Sequence, residues 1–197
     1  MKSNVCKIDN GTKDLEAIFK ESEKVAVYND LDQKQTLHLR LLCEEIDGML
    51  PNIIDDFQGD LWFEFENGVC KVNVSFQLAE ISTAKKEALV NIAKSKNNAA
   101  EAGVVGKIRS LIEDLFFDKE NVRAMALSSG QFNLSTGLSG GADFSYLWSL
   151  EQYKNNAKTE QEEWDELEKS LLSSIADDVI VSVKGKTVDL VVVKKFA

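Results

Sequence analysis

The residue types that most often carry out nucleophilic or metal chemistry are sparse in this chain. Its 197 residues include one histidine, His38, and three cysteines, Cys6, Cys43 and Cys70. A single histidine excludes a histidine cluster for a metal ion and gives a Ser-His-Asp or Cys-His site only one candidate. The cysteines form no CxxC motif, and their odd number does not indicate a disulfide framework. We therefore interpret them as small buried hydrophobic residues in a reducing cytosol and predict no metal site.

Charge and composition exclude further classes of protein. The chain has 33 acidic and 23 basic residues, a net charge of −10, whereas nucleic acids and anionic membranes attract clusters of Lys and Arg. Residues 1–11 are polar, unlike a signal peptide, and no apolar run approaches the roughly 20 residues of a membrane span. We therefore expect a cytoplasmic protein that binds neither nucleic acid nor membrane.

The length and the composition along the chain predict a single domain, residues 1–197. The clearest change in composition is the segment SSGQFNLSTGLSGGADFS at 128–145, which is rich in Gly and Ser and poor in charge. Such a composition predicts a long loop or an ordered insertion.

Two amphipathic helices are predicted in the first quarter of the chain. Apolar residues recur at helical spacing in residues 12–29, after the N-cap candidate Thr12. Residues 33–50 contain one apolar stripe, made of Leu39, Leu42, Cys43, Ile46 and Leu50. We expect Pro51 to end or kink this second helix, because it lacks an N–H and its ring crowds the carbonyl four residues back. Another turn at 52–54 stays open.

Alternating apolar and polar residues predict two hairpins. Residues 59–77 alternate around Asn67-Gly68, the strongest short signal for a hairpin turn. Residues 179–192 alternate in the same way around Lys184-Gly185-Lys186, and residues 5–8 predict a short edge strand. Each hairpin has one apolar and one polar side, which indicates an antiparallel sheet covered on a single face.

Helical periodicity predicts three later helices, at 83–95, 98–118 and 159–178. Ile108 belongs to the apolar stripe of the middle one. The stripe of the last one contains Trp164, Leu167, Leu171 and Ile175. The segment YLWSLEQY at 146–153 fits either a strand or a helix. Because all these stripes must be buried somewhere, the predicted fold is an α/β (α+β) two-layer sandwich, with a mostly antiparallel sheet covered by helices on one face.

This order of elements resembles the histidine-kinase-like (GHKL, Bergerat) ATPase fold. The resemblance is carried by DLEAIFKESEKVA, by TLHLRLLCEEIDGMLPNII before a hairpin, and by SIADDVIVSVKGKTVDLVVVKKF at the end. In pattern the chain is most similar to anti-sigma-factor serine kinases and related bacterial regulators. The similarity covers residues 12–77 and 160–196 and lies in topology more than in motifs.

The resemblance implies where an ATP site would lie. In this family a helix Glu orients or activates water, and an Asn four residues later holds the Mg²⁺ that bridges the phosphates. Glu45 is the best match to the helix Glu, but Met49 stands where the Asn belongs. A start from Glu44 leads to Gly48, and Asn52 lies seven residues from Glu45, beyond the proline.

The family's glycine boxes are also incomplete here. The first should follow the strand that ends at Phe76, but QLAEISTAKK contains neither Asp nor Gly. Candidate remnants of the second box, which would bind phosphates of the cofactor, are Gly103, Gly106, Gly137, Gly140 and Gly141. Residues 128–145 fit a nucleotide lid or a spacer equally. Lys107 and Arg109 are interpreted as surface charges rather than phosphate ligands.

One aromatic residue points to a partner surface rather than to a nucleotide. Trp62 alternates onto the polar side of the first hairpin. With Phe57 nearby, or on an open sheet face, it would mark a site for a protein partner.

Two functional hypotheses follow. In the first, the chain is a non-catalytic regulatory or interaction protein of bacterial signalling, whose ATP site has decayed and whose partner is a protein. In the second, it is an active ATP- and Mg²⁺-binding serine kinase of the anti-sigma-factor type, with Glu45 as the catalytic residue. Missing motifs favour the first, and homodimerisation is left open by the sequence.

Overall fold

The computed structural model describes residues 1–9, 15–53, 57–78, 108, 145–156, 171–184 and 186–196. These residues form six strands and four helices. The strands are β1 (Cys6–Asp9), β2 (Phe57–Glu66), β3 (Val69–Leu78), β4 (Ser145–Ser149), β5 (Asp178–Lys184) and β6 (Thr187–Lys195). The helices are α1 (Leu15–Tyr28), α2 (Gln33–Ile53), α3 (Leu150–Asn156) and α4 (Leu171–Ile175).

All six strands join one sheet in the order β1-β2-β3-β6-β5-β4. Every neighbouring pair is antiparallel. The two predicted hairpins are confirmed as β2–β3 and β5–β6, and they join through the pairing of β3 with β6, where Val72 lies opposite Val192. The predicted edge strand is confirmed one residue later than expected, as β1. The predicted fold class, a two-layer α+β sandwich, is therefore confirmed.

The core lies between the sheet and the helices. Alternate side chains of the four hairpin strands face inward and are buried: Leu61, Phe63, Phe65, Cys70, Val72, Val74, Phe76, Val179, Val181, Val183, Val188, Leu190 and Val192. The predicted stripe of α2 is buried against them, and α2 also contacts α1 and α4. Burial of each such side chain stabilises the fold by about 1.5–3 kcal/mol.

Helix α2 begins with a reciprocal cap and does not end at the proline. The Gln35 backbone N–H donates to Asp32 Oδ1 (2.8 Å), and the Asp32 N–H donates to Gln35 Oε1 (2.9 Å), which satisfies two donors at the helix start. Of the two expected effects of Pro51, an end or a kink, the end does not occur: α2 continues to Ile53, as the open possibility of another turn allowed. Pro51 is exposed, so its ring lies on the solvent side of the helix.

The ambiguous segment 146–153 contains both kinds of structure. It is strand up to Ser149 and helix from Leu150. Ser149 Oγ accepts from the Gln152 N–H (3.3 Å), and Asp178 Oδ1 accepts from the Glu151 N–H (2.9 Å). These acceptors cap the N-terminus of α3 and fix the point at which the strand changes to a helix.

One predicted core residue lies outside the core. Leu171 is 53% exposed, whereas its neighbour Leu172 is fully buried. The sequence LLSSIA offers two stripes with a spacing of four, and the one through Leu172 and Ala176 packs inward. Ile108 was predicted in an apolar stripe and is confirmed at 1% exposure. The remaining predictions for 79–107, 109–144 and 157–170, and Thr12, lie outside the described residues.

The N-terminal residues extend the β1 edge along β2. The Ser3 N–H donates to the Phe63 carbonyl, and the Phe65 N–H donates to the Met1 carbonyl (both 2.9 Å). Glu21 of α1 is buried and holds this segment, because its carboxylate accepts from Asn4 Nδ2 at 3.2 Å. The hydrogen bond from Lys24, together with those from Asn4, lowers the pKa of Glu21.

The first hairpin turn is formed by Asn67 and Gly68, both with positive φ (50° and 75°). This geometry suits the right-handed twist of the two strands. Phe196, directly after β6, contacts this hairpin. Its N–H donates to the Gly68 carbonyl (2.7 Å), and its ring stacks on Phe65. Of the helices in the described ranges, none is long and apolar enough to cross a membrane.

Gly68→Ala is expected to lower the free energy of unfolding by about 1–3 kcal/mol, because a side chain at positive φ is strained and the new Cβ would lie 2.8 Å from the Phe196 carbonyl oxygen. Gly48→Ala is the matched control. A Cβ there meets nothing within 4 Å, and Ala in a helix is favoured by up to about 1 kcal/mol. Measured by urea unfolding, the change in the free energy of unfolding relative to wild type should have opposite signs in the two variants. The same sign in both would contradict this account.

Glu21→Gln is expected to lower the free energy of unfolding by about 1–2 kcal/mol at neutral pH, because a buried charge-assisted contact is lost. The folded-state pKa of Glu21 lies below its ordinary value of 4.5. The stabilisation is therefore fully present above pH 4.5 and is lost as the pH falls through the lowered pKa. Glu16→Gln, which removes an exposed ion pair with Lys20, is the control. A difference from wild type that persists unchanged in acid would contradict the assignment.

Candidate functional site

The predicted catalytic residue, Glu45, lies half-buried on the flank of α2. Four residues on, Met49 is 2% exposed and packs in the core with Ile46 and Leu50. The thioether of a buried Met does not fit a Mg²⁺ site, because Mg²⁺ takes hard oxygen ligands and keeps waters. Side chains of the α2 stripe occupy the space between this helix and the sheet, so the described residues around Glu45 do not fit ATP·Mg²⁺.

The predicted phosphate-binding residues lie elsewhere in the chain. Gly103, Gly106, Gly137, Gly140 and Gly141 are all outside the described residues, as are Lys107 and Arg109. Asn52 is described only as part of the backbone of α2. The prediction that these residues bind phosphates therefore stays a prediction.

The other face of the sheet carries side chains that point away from the four described helices, and we call it the outer face. At one end, two cross-strand rows of this face are almost entirely polar. The first contains Asp9, Gln58, Gln77, Thr187 and Lys184, and the second contains Lys7, Asp60, Ser75, Asp189 and Ser182. The next row, which we call the central row, contains Trp62, Asn73, Val191 and Ile180.

An open groove of about 800 Å³ lies over the polar rows. Its polar side chains come from β1, β2, β3 and β6, and they are Lys7, Asp9, Gln58, Asp60, Ser75, Gln77 and Thr187. Gly59 lies in the floor, where an added Cβ would be 2.5 Å from the Ser75 carbonyl oxygen. Strands β2 and β3 therefore approach each other more closely here than a side chain would allow.

The groove is lined by groups that form hydrogen bonds and by a charged pair. Its charged pair, Lys7 Nζ and Asp60 Oδ1, is 2.6 Å apart and neutralises itself. Its amides and hydroxyls can donate and accept hydrogen bonds. His38 lies on α2, in the other layer, and the described residues contain no group of three or more His, Cys, Asp or Glu placed to hold a metal ion.

Trp62 lies on the outer face as predicted, but not beside Phe57. Its indole N–H donates to Glu64 Oε1 (2.9 Å), and Lys2 Nζ lies 5.0 Å from the ring centroid. The Trp62 hydrogen bond, followed by Lys2, lowers the pKa of Glu64. Phe57 is buried on the inner face, where its ring lies 6.0 Å from that of Phe76. The two aromatic residues therefore belong to opposite faces of β2.

All three cysteines are free and buried, as predicted from their sparse pattern. Cys6 lies on β1, Cys43 on α2 and Cys70 on β3, so they share one half of the core. Burial raises the pKa of Cys43 strongly and raises that of Cys70 to about 12. Because the thiolate is the reactive form, these thiols are inert in the folded chain.

Comparisons with protein-family models, with curated proteins and with solved structures found no significant match.

Sequence reasoning did not find the groove. Lys7, Asp60, Ser75 and Thr187 are spread over the chain, and each is an ordinary polar position of an alternating strand. The alternation indicates that these side chains face solvent, but it does not indicate which strands are neighbours in the sheet. The signal that would have found the groove is the lateral order of the strands, which periodicity does not contain.

Native protein at pH 8 is expected to react with a thiol reagent such as DTNB far more slowly than an exposed cysteine, by about a hundredfold or more, because reaction requires local opening. In concentrated guanidinium chloride, which unfolds the protein, all three thiols should react. Rapid labelling of any cysteine in the native protein, read by mass spectrometry, would contradict its place in the core.

Proposed function

We propose that this protein is a non-catalytic regulatory module that works through protein contacts and has no working nucleotide site. The observation that carries this proposal is Met49, whose apolar side chain is buried where a Mg²⁺-binding Asn would have to stand. Without that ligand, Glu45 is a half-buried carboxylate on a helix flank. Kinship with the histidine-kinase-like ATPases and a role in bacterial signalling remain part of the proposal.

The outer face supports the choice of protein as the partner. It combines a groove of amide, hydroxyl and charged side chains with half-buried apolar residues, among them Trp62, Val191 and Ile180. Contact surfaces of reversible complexes have this composition, with apolar residues at the centre and polar residues around them. A net charge of −10 disfavours nucleic acid or an anionic membrane in this role.

A reducing compartment is the proposed location. Three free thiols in one chain are typical of cytoplasmic proteins, where glutathione and thioredoxin keep cysteines reduced. The proposed setting is therefore the bacterial cytoplasm.

Titration of ATP and Mg²⁺ into the purified protein, followed by calorimetry and by thermal unfolding, tests the proposal. We expect no heat of binding and no shift of the unfolding temperature with ATP in the millimolar range, because the buried Met49 stands in place of the Asn that holds Mg²⁺ in the family. Glu45→Ala should behave like wild type in this titration, as should its exposed neighbour, Glu44→Ala.

The alternative function has a distinct signature. If ATP raises the unfolding temperature of wild type, and Glu45→Ala but not Glu44→Ala abolishes the shift, then the protein is a nucleotide-binding protein of the serine-kinase type. That result would overturn the proposed function.

A further inference from the structure

The turn of the first hairpin is an Asn-Gly pair in contact with solvent. The register pairs Glu66 with Val69, so Asn67 and Gly68 alone form the loop. Asn67 is exposed, and Gly68 is half-buried. An Asn-Gly pair is chemically reactive, because Gly has no Cβ that would shield its backbone nitrogen from the preceding side chain.

The reaction open to this pair is intramolecular and consumes only water. The backbone nitrogen of Gly68 attacks Cγ of Asn67, the bond between Cγ and the side-chain nitrogen breaks, and that nitrogen leaves as ammonia with the proton of the Gly68 N–H. Water then opens the cyclic imide at one of its two carbonyl carbons, which yields aspartate or isoaspartate. In isoaspartate the main chain runs through Cβ and is longer by one atom.

The conformation of the folded turn opposes this attack. The φ angles of Asn67 and Gly68, 50° and 75°, are those of a type I′ turn. In such a turn the ψ angle of the first central residue is about +30°. At that angle the Gly68 nitrogen points away from Cβ of Asn67, whereas the attack requires both on the same side of the bond between Cα and the carbonyl carbon.

Contacts from distant parts of the chain hold the turn closed. The Phe196 N–H donates to the Gly68 carbonyl (2.7 Å), and the Phe196 and Phe65 rings are stacked with their centroids 6.2 Å apart. Phe65 is itself paired with Met1 by two backbone hydrogen bonds, at 2.7 and 2.9 Å. The turn is therefore free to change its conformation only when Phe196 releases it.

We propose that Asn67 is a site of spontaneous deamidation to which the folded turn controls access. The reaction proceeds when Phe196 releases the turn, and the isoaspartate product prevents the turn from closing again. The additional main-chain atom does not fit a two-residue type I′ turn between Glu66 and Val69, and the new carboxylate adds one negative charge to a chain of net charge −10. This inference is independent of the proposed function.

Incubation of wild type in mildly alkaline buffer, with and without concentrated urea, tests the control by the fold. Peptide mapping by mass spectrometry follows each Asn. In urea, Asn67 should convert as fast as Asn10, which precedes the other glycine of this kind in the sequence. In the native protein, Asn67 should convert at least about tenfold more slowly than in urea, because only the open fraction reacts. Equal rates at Asn67 in the two conditions would overturn the proposal.

A variant of the clamping residue tests the route. Phe196→Ala should accelerate the native reaction at Asn67 by about three- to tenfold, because the ring stacking is lost, and should leave the rate in urea unchanged. Ile18→Val is the control, since it truncates a buried side chain of α1 and lowers stability without a change at the turn. Urea unfolding gives the overall stability of each variant. An acceleration in both variants that follows overall stability would overturn the proposal.

The product itself supplies a test that needs no variant of Phe196. The isoaspartate form is purified from wild type by ion exchange, and hydrogen exchange of the Phe196 N–H is measured by NMR. It should exchange about tenfold or more faster than in the encoded variant Asn67→Asp, which has the same charge and an ordinary main chain that tolerates positive φ. Equal protection of the Phe196 N–H in both forms would overturn the proposal.

Discussion

The antiparallel pairing of β3 with β6 is the contact on which the rest of the structure depends. It joins a hairpin from the first 80 residues to a hairpin from the last 20, and it places their apolar sides in one plane. Buried residues of α1, α2 and α4 belong to one core cluster with the residues of that plane. The same pairing builds the opposite face, so the groove and the central row are both products of one long-range register.

Local patterns predicted most of the elements, because each hairpin has its own turn and its own alternation. Asn67-Gly68 fixes one register by backbone geometry alone. The errors occurred where two local solutions compete. LLSSIA supports either of two helical stripes, and the choice of Leu172 over Leu171 depends on what lies above the helix. For Pro51, the sequence left open whether the helix ends, kinks or gains another turn, and the structure continues α2 to Ile53 with the proline on the solvent side.

The candidate site was less predictable than the fold. The resemblance to the histidine-kinase-like ATPases predicted a site at Glu45 and at glycines far along the chain. The groove is instead made of residues that only the lateral order of the strands brings together. Met49, on which the proposal against a nucleotide site rests, is visible in the sequence, but its place in the core is not. The structure shows that its side chain is buried.

The distribution of the three thiols has a practical consequence for folding studies. Cys6, Cys43 and Cys70 occupy β1, α2 and β3, and the chain has no other cysteine. The C-terminal hairpin is therefore silent in any alkylation experiment. Cys70 also lies opposite Lys194 of β6, so its exposure requires that β3 and β6 separate. Pulse labelling during denaturation, with mass spectrometry of each cysteine, therefore compares the loss of the β3–β6 pairing with the opening of β1 and α2 by means of natural residues.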